Sequence, residues 1–349
     1  MRKEKKIKIG ITIGDLNGVG GELIIKTFED KRLLDFCTPI VYASTKTMSF
    51  LKKHFQSSMV FNSIQKSNQA IDSKLNVVNV WNEDVAIEFG KETPEAGQYA
   101  LLSLKAGVED LKNNAIDVLV TAPINKHNIQ SEAFQFPGHT DFLNQQLEGD
   151  SLMFMVSESL RVGLLTDHVP VGEVPHHLNE SLILKKIECI HHSLKTDFAI
   201  RAPKIAVLGI NPHTGDNGVI GTEDDTLLRP VLEKIKATGK LVFGPYAADS
   251  FFGSNNYQNF DAIVATYHDQ GLIPFKTLTF GNGVNYTAGL NKVRTSPDHG
   301  TAYDIAGKGI ANNDSFKESI FMGMQIFKNR NMDIILNENP LEHQAHKRK

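Results

Sequence analysis

The stretch IKIGITIGDLNGVGGELIIKTF, residues 7–28, decides the fold. Ile7 to Ile13, rich in β-branched residues, reads as a first strand. A glycine loop, GlyAspLeuAsnGlyValGlyGly at 14–21, then leads into an apolar segment from Glu22 to Phe28. The same alternation continues along the chain. Pro39–Ala43, Val77–Trp81, Ile116–Val120, Leu152–Val156, Arg161–Leu165, Ile205–Ile210 and Ala262–Ala265 read as further strands. Gly97–Lys112, Ser181–Leu194, Leu227–Lys236 and Phe316–Phe327 carry apolar residues at helical spacing. Strands separated by helices, with both strand faces apolar, argue an α/β fold. At roughly 150 residues per domain, the 349 residues make about two domains. No internal repeat or low-complexity linker marks a border between them.

Composition narrows the class. With 41% hydrophobic and 22% charged residues the chain can bury a core unaided. Lys plus Arg number 37 against 40 Asp plus Glu, so no basic excess exists to neutralise a nucleic-acid backbone. No apolar run approaches the roughly 18 residues of a membrane span, and the N-terminus lacks a signal-peptide apolar core. Two cysteines, Cys37 and Cys189, form no disulfide framework. The expectation is a cytoplasmic protein with no membrane or nucleic-acid partner. The terminal runs MRKEKK and HQAHKRK read as solvated ends.

Polar residues cluster directly after strands, where the carboxyl edge of an α/β sheet opens into a crevice. Ile116–Val120 leads to ThrAlaPro at 121–123, then Asn125, Lys126 and GlyHisThrAsp at 138–141. Arg161–Leu165 leads to His168, Ile205–Ile210 to His213, and Ala262–Ala265 to His268. Three imidazoles converging on one crevice would hold a borderline divalent cation and leave a position for substrate. The plainer alternative makes each a strand-end hydrogen-bonding residue, since sequence separations of 45 and 55 match no short metal motif. His54, His127, His343, His346 and the pairs His176–His177 and His191–His192 read as structural. The loop at 14–21 suits a phosphate at a helix N-terminus, yet matches neither a dinucleotide fingerprint nor a P-loop. From Gly271 to Asn312 a glycine-rich, charge-poor stretch with Lys276 and Arg294 suits a phosphate or carboxylate.

Several strings resemble known families. HisGlyThrAlaTyrAspIleAlaGlyLysGlyIleAlaAsn at 299–312 is similar to the adenosine-binding segment of isocitrate and isopropylmalate dehydrogenases, and the early glycine loop resembles theirs. GlyHisThrAspPhe at 138–142, ThrAspHisValPro at 166–170, AsnProHisThrGly at 211–215, TyrHisAspGlnGly at 267–271, GlyValAsn at 283–285 and ArgThrSerProAspHisGlyThrAla at 294–302 resemble the 4-hydroxythreonine-4-phosphate dehydrogenase family more narrowly. The resemblance spans residues 10 to about 330, in the family's order.

That resemblance implies a two-domain isocitrate/isopropylmalate dehydrogenase-like fold with the active site in the cleft. Residues 1–135 plus 290–349 would form the cofactor side, and 136–289 the metal, substrate and dimer side. It implies a homodimer sharing its active sites, NAD or NADP, and one divalent metal ion (Zn, Mg, Co or Mn). His168, His213 and His268 would be ligands, one of them from the partner chain. His139, Thr140, Lys276, Asn285 and Arg294 would contact a small phosphorylated substrate. Asp15, Gly18, Gly20, His299, Gly300, Thr301, Ala302 and Asn312 would fall on the cofactor. Asp249, Asp269 and, behind them, Lys276 are the proton-acceptor candidates. The implied reaction oxidises 4-phosphooxy-L-threonine at C3, with decarboxylation to 3-amino-2-oxopropyl phosphate, in pyridoxal 5'-phosphate biosynthesis. A paralogous dehydrogenase of D-threonate or D-erythronate 4-phosphate is the nearest alternative. A three-histidine zinc hydrolase and a metal-binding scaffold without turnover are alternatives of other classes. The chain departs from the family pattern at LeuAsn 16–17, at Gly21, and with Asp167 before His168.

Overall fold

The computed structural model describes residues 6–132 and 134–338, so the terminal charge runs beyond Lys6, with His343 and His346, lie outside the described residues. The strands are β1 (Ile7–Thr12), β2 (Cys37–Ala43), β3 (Phe61–Ile64), β4 (Leu75–Asn79), β5 (Val118–Thr121), β6 (Gly149–Val156), β7 (Arg161–Leu164), β8 (Lys204–Leu208), β9 (Leu241–Tyr246), β10 (Ala262–Ala265), β11 (Val284–Leu290) and β12 (Val293–Pro297). They form a single sheet of 12 strands in the order β3-β4-β2-β1-β5-β12-β11-β6-β7-β10-β8-β9. β1 sits inside it as expected, parallel to both β2 and β5, with Ile9, Ile11 and Ile13 fully buried. From β3 to β12 the pairings are all parallel, and so are those from β7 to β9. Between these wings the pairs β12–β11, β11–β6 and β6–β7 are antiparallel.

The helices are α1 (Gly20–Glu29), α2 (Thr45–His54), α3 (Pro94–Lys112), α4 (His139–Gln146), α5 (Val174–His177), α6 (Glu180–Thr196), α7 (Arg229–Ala237), α8 (Ala248–Gly253), α9 (His268–Thr279) and α10 (Asp314–Glu338). Ser44, Thr93 and Asn179 start α2, α3 and α6 by accepting a first-turn N–H on the side chain. α3 packs on β1, β2 and β5, while α10 covers β12, β5 and β11. α6 lies on β11 and β6, and α9 on β7 and β10. Both faces of the sheet are thereby covered.

Several features depart from the sequence reading. The polar stretch 271–312 is regular structure over half of its length: it completes α9 and forms β11 and β12 at the middle of the sheet. Its polar residues face the cleft, which hides strand periodicity, and a register shift between Ala288 and Leu290 breaks it further. β3 and β9 were also unread, because Phe61–Ile64 and Leu241–Tyr246 are the two edge strands and only partly buried. The loop substitution at Asn17 has a local function. Its amide donates to Lys91 O (2.9 Å) and Thr93 Oγ1 (3.0 Å) and accepts from Glu88 N (2.8 Å), tying the approach to α3 against the first loop. Both cysteines are free. Among the described residues no helix is long and apolar enough to cross a membrane.

Candidate active site

A cavity of about 240 Å³ opens where the carboxyl ends of β5, β7 and β10 meet the central antiparallel strands. Its floor is Arg294. The parallel register sets Arg294 beside Leu119, and the antiparallel one sets Asn285 opposite both Ser296 and Met155. The Arg294 side chain is buried, at 2% exposure. Its Nε and Nη2 donate to Thr121 Oγ1 (3.0 and 2.5 Å) and its Nη1 to Thr287 Oγ1 (3.1 Å). No carboxylate pairs with it among the described residues, and burial pushes its pKa down. Guanidinium holds its proton under nearly all conditions. The pocket floor is therefore a desolvated cation with two hydroxyls for company.

Beside it α4 begins, so its first backbone N–H groups and His139 and Thr140 border the same space. Burial, then Arg294 and Lys126, hold His139 well below the usual imidazole range, which keeps it neutral. Three polar atoms of pocket residues are buried with no partner among the described residues: His139 Nε2, Asn285 Oδ1 and His299 Nε2. Buried polar atoms are nearly always satisfied, so orphans gathered in one cavity mark a place for a ligand. Lys276 lines the cavity and donates to Asp298 O (3.0 Å).

His168 and His268 form the opposite wall, with ring centroids 5.9 Å apart. His268 Nδ1 lies 2.7 Å from Asp269 Oδ1; the carboxylate accepts from that nitrogen and leaves Nε2 as the free donor to a cation. Burial, then Lys126, lower the His168 pKa, so it too stays neutral. Two imidazoles are donors of the kind a divalent cation takes, and they stand without a third beside them: among the described residues no three His, Cys, Asp or Glu side chains group to hold a metal. β7, β10 and β8 are neighbours in the sheet as the strand-end pattern requires. His213, however, is exposed on the turn after β8 and does not line the cavity.

The proton-acceptor candidates separate as well. Asp249 lies outside the cavity, on an adjoining apolar groove between α8 and α9. Asp269 borders that groove too, because it is turned onto the far nitrogen of His268. Lys276 alone of the three lines the cavity.

On the other flank the first glycine loop and the 299–312 segment meet. Val19 N donates to Thr301 O (3.0 Å), and a β-carbon on Gly18 would lie 2.9 Å from that same oxygen, so only glycine fits the approach. His299 and Gly300 reach the cavity, whereas Gly18, Gly20, Thr301, Ala302 and Asn312 stand outside it. Asn312 Oδ1 caps α10 by accepting from Asp314 N (2.7 Å). Asp15 is fully buried: it accepts from Asn17 N, Asn128 Nδ2 and Tyr303 OH (2.9, 2.7 and 2.9 Å), and so ties the segments together rather than facing a ligand. Glu22 and Lys26 of α1 grip the Ala311 peptide, Glu22 Oε1 accepting its N–H (2.7 Å) and Lys26 Nζ donating to its carbonyl (2.8 Å).

Sequence reasoning gave Lys126 no role. Its ammonium enters the cavity and lies 3.3 Å from His168 Nε2. Its place after β5 was the available signal. Thr121, one partner of Arg294, opens the same post-strand cluster, whereas Thr287, the other, gave no signal.

The family described as "Pyridoxal phosphate biosynthetic protein PdxA" matches residues 35–323. A relative from Bacteroides thetaiotaomicron, a 4-hydroxythreonine-4-phosphate dehydrogenase, is 47% identical over 99% of this chain and 96% of its own length. A D-threonate 4-phosphate dehydrogenase from Cupriavidus necator is 35% identical over 92% of this chain and 98% of its own. The solved 4-hydroxythreonine-4-phosphate dehydrogenase of Klebsiella pneumoniae superposes with a TM-score of 0.80 at 31% identity, covering 94% of this chain and 99% of that one. The chain thus belongs to the PdxA family of pyridoxal phosphate biosynthetic proteins, and it is an oxidoreductase.

Proposed function

We propose that this chain oxidises 4-phosphooxy-L-threonine at C3 with NAD or NADP and releases 3-amino-2-oxopropyl phosphate after loss of CO2, in pyridoxal 5'-phosphate biosynthesis. The observation that carries the reading is Arg294: a buried guanidinium with no counter-ion among the described residues, on the floor of a cavity lined by polar atoms that have no partner among them. Such a group is costly unless an anion completes it, and a phosphorylated amino acid brings both a phosphate and a carboxylate. The 47% identity to a 4-hydroxythreonine-4-phosphate dehydrogenase favours the amino acid over a sugar acid.

Arg294, Lys276, Asn285, His139 and Thr140 would bind and orient the substrate, turning positioning into rate. His139 and Asn285 would fill their open valences on it. Of the three proton-acceptor candidates Lys276 would stand nearest the C3 hydroxyl, since it alone lines the cavity. His168 and His268, with His213 of the partner subunit, would hold one divalent cation, zinc, magnesium, cobalt or manganese. Bound there, the cation supplies a lowered alcohol pKa and stabilisation of charge developing on oxygen. The segments around Gly18 and 299–302 would receive the dinucleotide, whose nicotinamide supplies the hydride acceptor. This reading makes the protein a cytoplasmic homodimer, divided into 1–135 plus 290–349 and 136–289.

The test is nicotinamide reduction by metal-replete protein with 4-phosphooxy-L-threonine, beside 4-phospho-D-threonate and 4-phospho-D-erythronate. Preference for the amino acid is expected. Preference for a sugar acid would move the chain to the function named for the Cupriavidus relative, and turnover without nicotinamide would favour a hydrolase.

A further inference from the structure

The turn that presents His213 has a backbone that the proposed chemistry does not account for. Six consecutive residues, His213, Thr214, Gly215, Asp216, Asn217 and Gly218, have positive φ. His213 (φ 51°, ψ 25°), Thr214 (55°, 34°) and Asp216 (45°, 56°) lie in the left-handed helical region. Residues with a β-carbon avoid that region singly, and a run of them persists only where the surroundings over-determine it.

Asp224 supplies much of that determination. It is fully buried, at 0% exposure. Its Oδ1 accepts from Ile210 N (2.8 Å) and its Oδ2 from Asn211 N (2.9 Å) and Asn211 Nδ2 (3.2 Å). The Asn211 carbonyl then accepts from Thr214 N (3.0 Å), passing the restraint into the turn. From the other side Gln270 Nε2 donates to Gly209 O (2.7 Å), and Arg229 Nη2 donates to Thr214 Oγ1 (3.0 Å). Asp224 also opens a π-helical turn, Asp224–Leu228, a rare geometry that concentrates at functional sites. Beyond the turn Val219 and Ile220 are 82% and 47% exposed.

We propose that Asp224 is a positioning residue for the metal centre: it clamps the left-handed turn so that His213 is held out from its own chain as a donor for the partner subunit's site. The proposal rests on the reading of His213 as a metal ligand.

The test is Zn²⁺ affinity of the full-length protein, by competition with a chelating indicator, with thermal melting and oligomeric state measured alongside. Asp224→Asn keeps the volume of the side chain but turns an amide N–H₂ toward the backbone donors. It should weaken Zn²⁺ binding about 10- to 100-fold, the range typical for groups that orient a ligand. Introduced into His213→Ala protein, it should cost nothing further, because it acts only through that imidazole. Gly215→Ala reaches the same turn by another route: its φ is +85° and a β-carbon would lie 2.3 Å from Gly221 O. It should give the same loss, and it carries the test if Asp224→Asn does not fold. Wild-type Zn²⁺ affinity in folded Asp224→Asn and Gly215→Ala would overturn the proposal, as would a further loss in the His213→Ala background. Unchanged affinity in His213→Ala itself would instead remove His213 from the metal site, and the proposal with it.

Discussion

Two arginines, the half-buried Arg330 packed against this sheet and the buried Arg294 within it, are provided for differently. Arg330, on α10, donates through Nε to Asp197 Oδ1 (2.6 Å) and through Nη2 to Tyr286 OH (2.8 Å). Tyr286 in turn donates to Asp197 Oδ2 (2.6 Å), as does Ser193 (2.5 Å). Burial pulls the Arg330 pKa down, but Tyr286 and Asp197 outweigh it and raise it overall. That network is closed, and it pins α10 to α6 and β11. Arg294, on β12, has only two threonine hydroxyls, with burial pulling its pKa down unopposed. A buried charge that is paired at once serves the fold; one left unpaired beside a cavity is completed by what enters that cavity.

The largest effect that sharpens this contrast is expected at Asp197. Asp197→Ala removes the buried carboxylate that Arg330, Tyr286 and Ser193 share, and denaturant unfolding should show a loss of about 3 kcal/mol. The kcat/KM of the protein that remains folded should hold. Arg294→Met should do the opposite. It removes a desolvated charge in favour of an apolar chain, so melting should be unchanged or raised. Steady-state kinetics should show kcat/KM reduced by about 2–5 kcal/mol, or roughly 30-fold and more. A variant pair in which Arg294→Met unfolds and Asp197→Ala does not would break the comparison.

A smaller effect separates two carboxylates in the same way. Asp197 neutralises a cation, whereas Asp269 serves only the imidazole of His268. Asp269→Asn should leave stability intact and weaken metal affinity by about 10- to 100-fold, measured by chelator competition. The smallest effect is on pH. His139 is held neutral by burial and by nearby cations, with its pKa lowered in the fold. The unfolded chain therefore binds the proton first as pH drops below about 6.5, and the stability linked to His139 is full above that pH and declines below it. Melting temperature followed from pH 8 to 5 should fall less steeply in His139→Gln than in wild type. Parallel curves would remove His139 from the buried, neutral set.

The two halves of this account were not equally legible in the sequence. β5 and β10 were readable because strands buried on both faces become near-continuous apolar runs, and β1 and β2 because their β-branched and aromatic residues favour strand. The three strand-end histidines were readable because β7, β10 and β8 are neighbours. Their separation was not: whether His213 turns toward the cavity or away depends on left-handed backbone that no propensity foretells. The anion-binding role of Arg294 was legible from its glycine-rich setting and that of His139 came from resemblance, but an orphaned Nε2 or an unpaired guanidinium is a property of tertiary contacts. β11 and β12 escaped because Asn285, Thr287, Arg294 and Ser296 spend their polar side chains on the cleft. Nor does the sequence distinguish Asp197 from an ordinary helix-end carboxylate; its partners lie 89 and 133 residues away.

The most direct measurement is calorimetric binding of 4-phosphooxy-L-threonine to metal-replete wild type and Arg294→Met protein. The unpaired cation predicts measurable binding by wild type and at least a 30-fold loss in the variant, with the fold retained. Equal affinities in two folded proteins would contradict the claim that Arg294 awaits the substrate's negative charge.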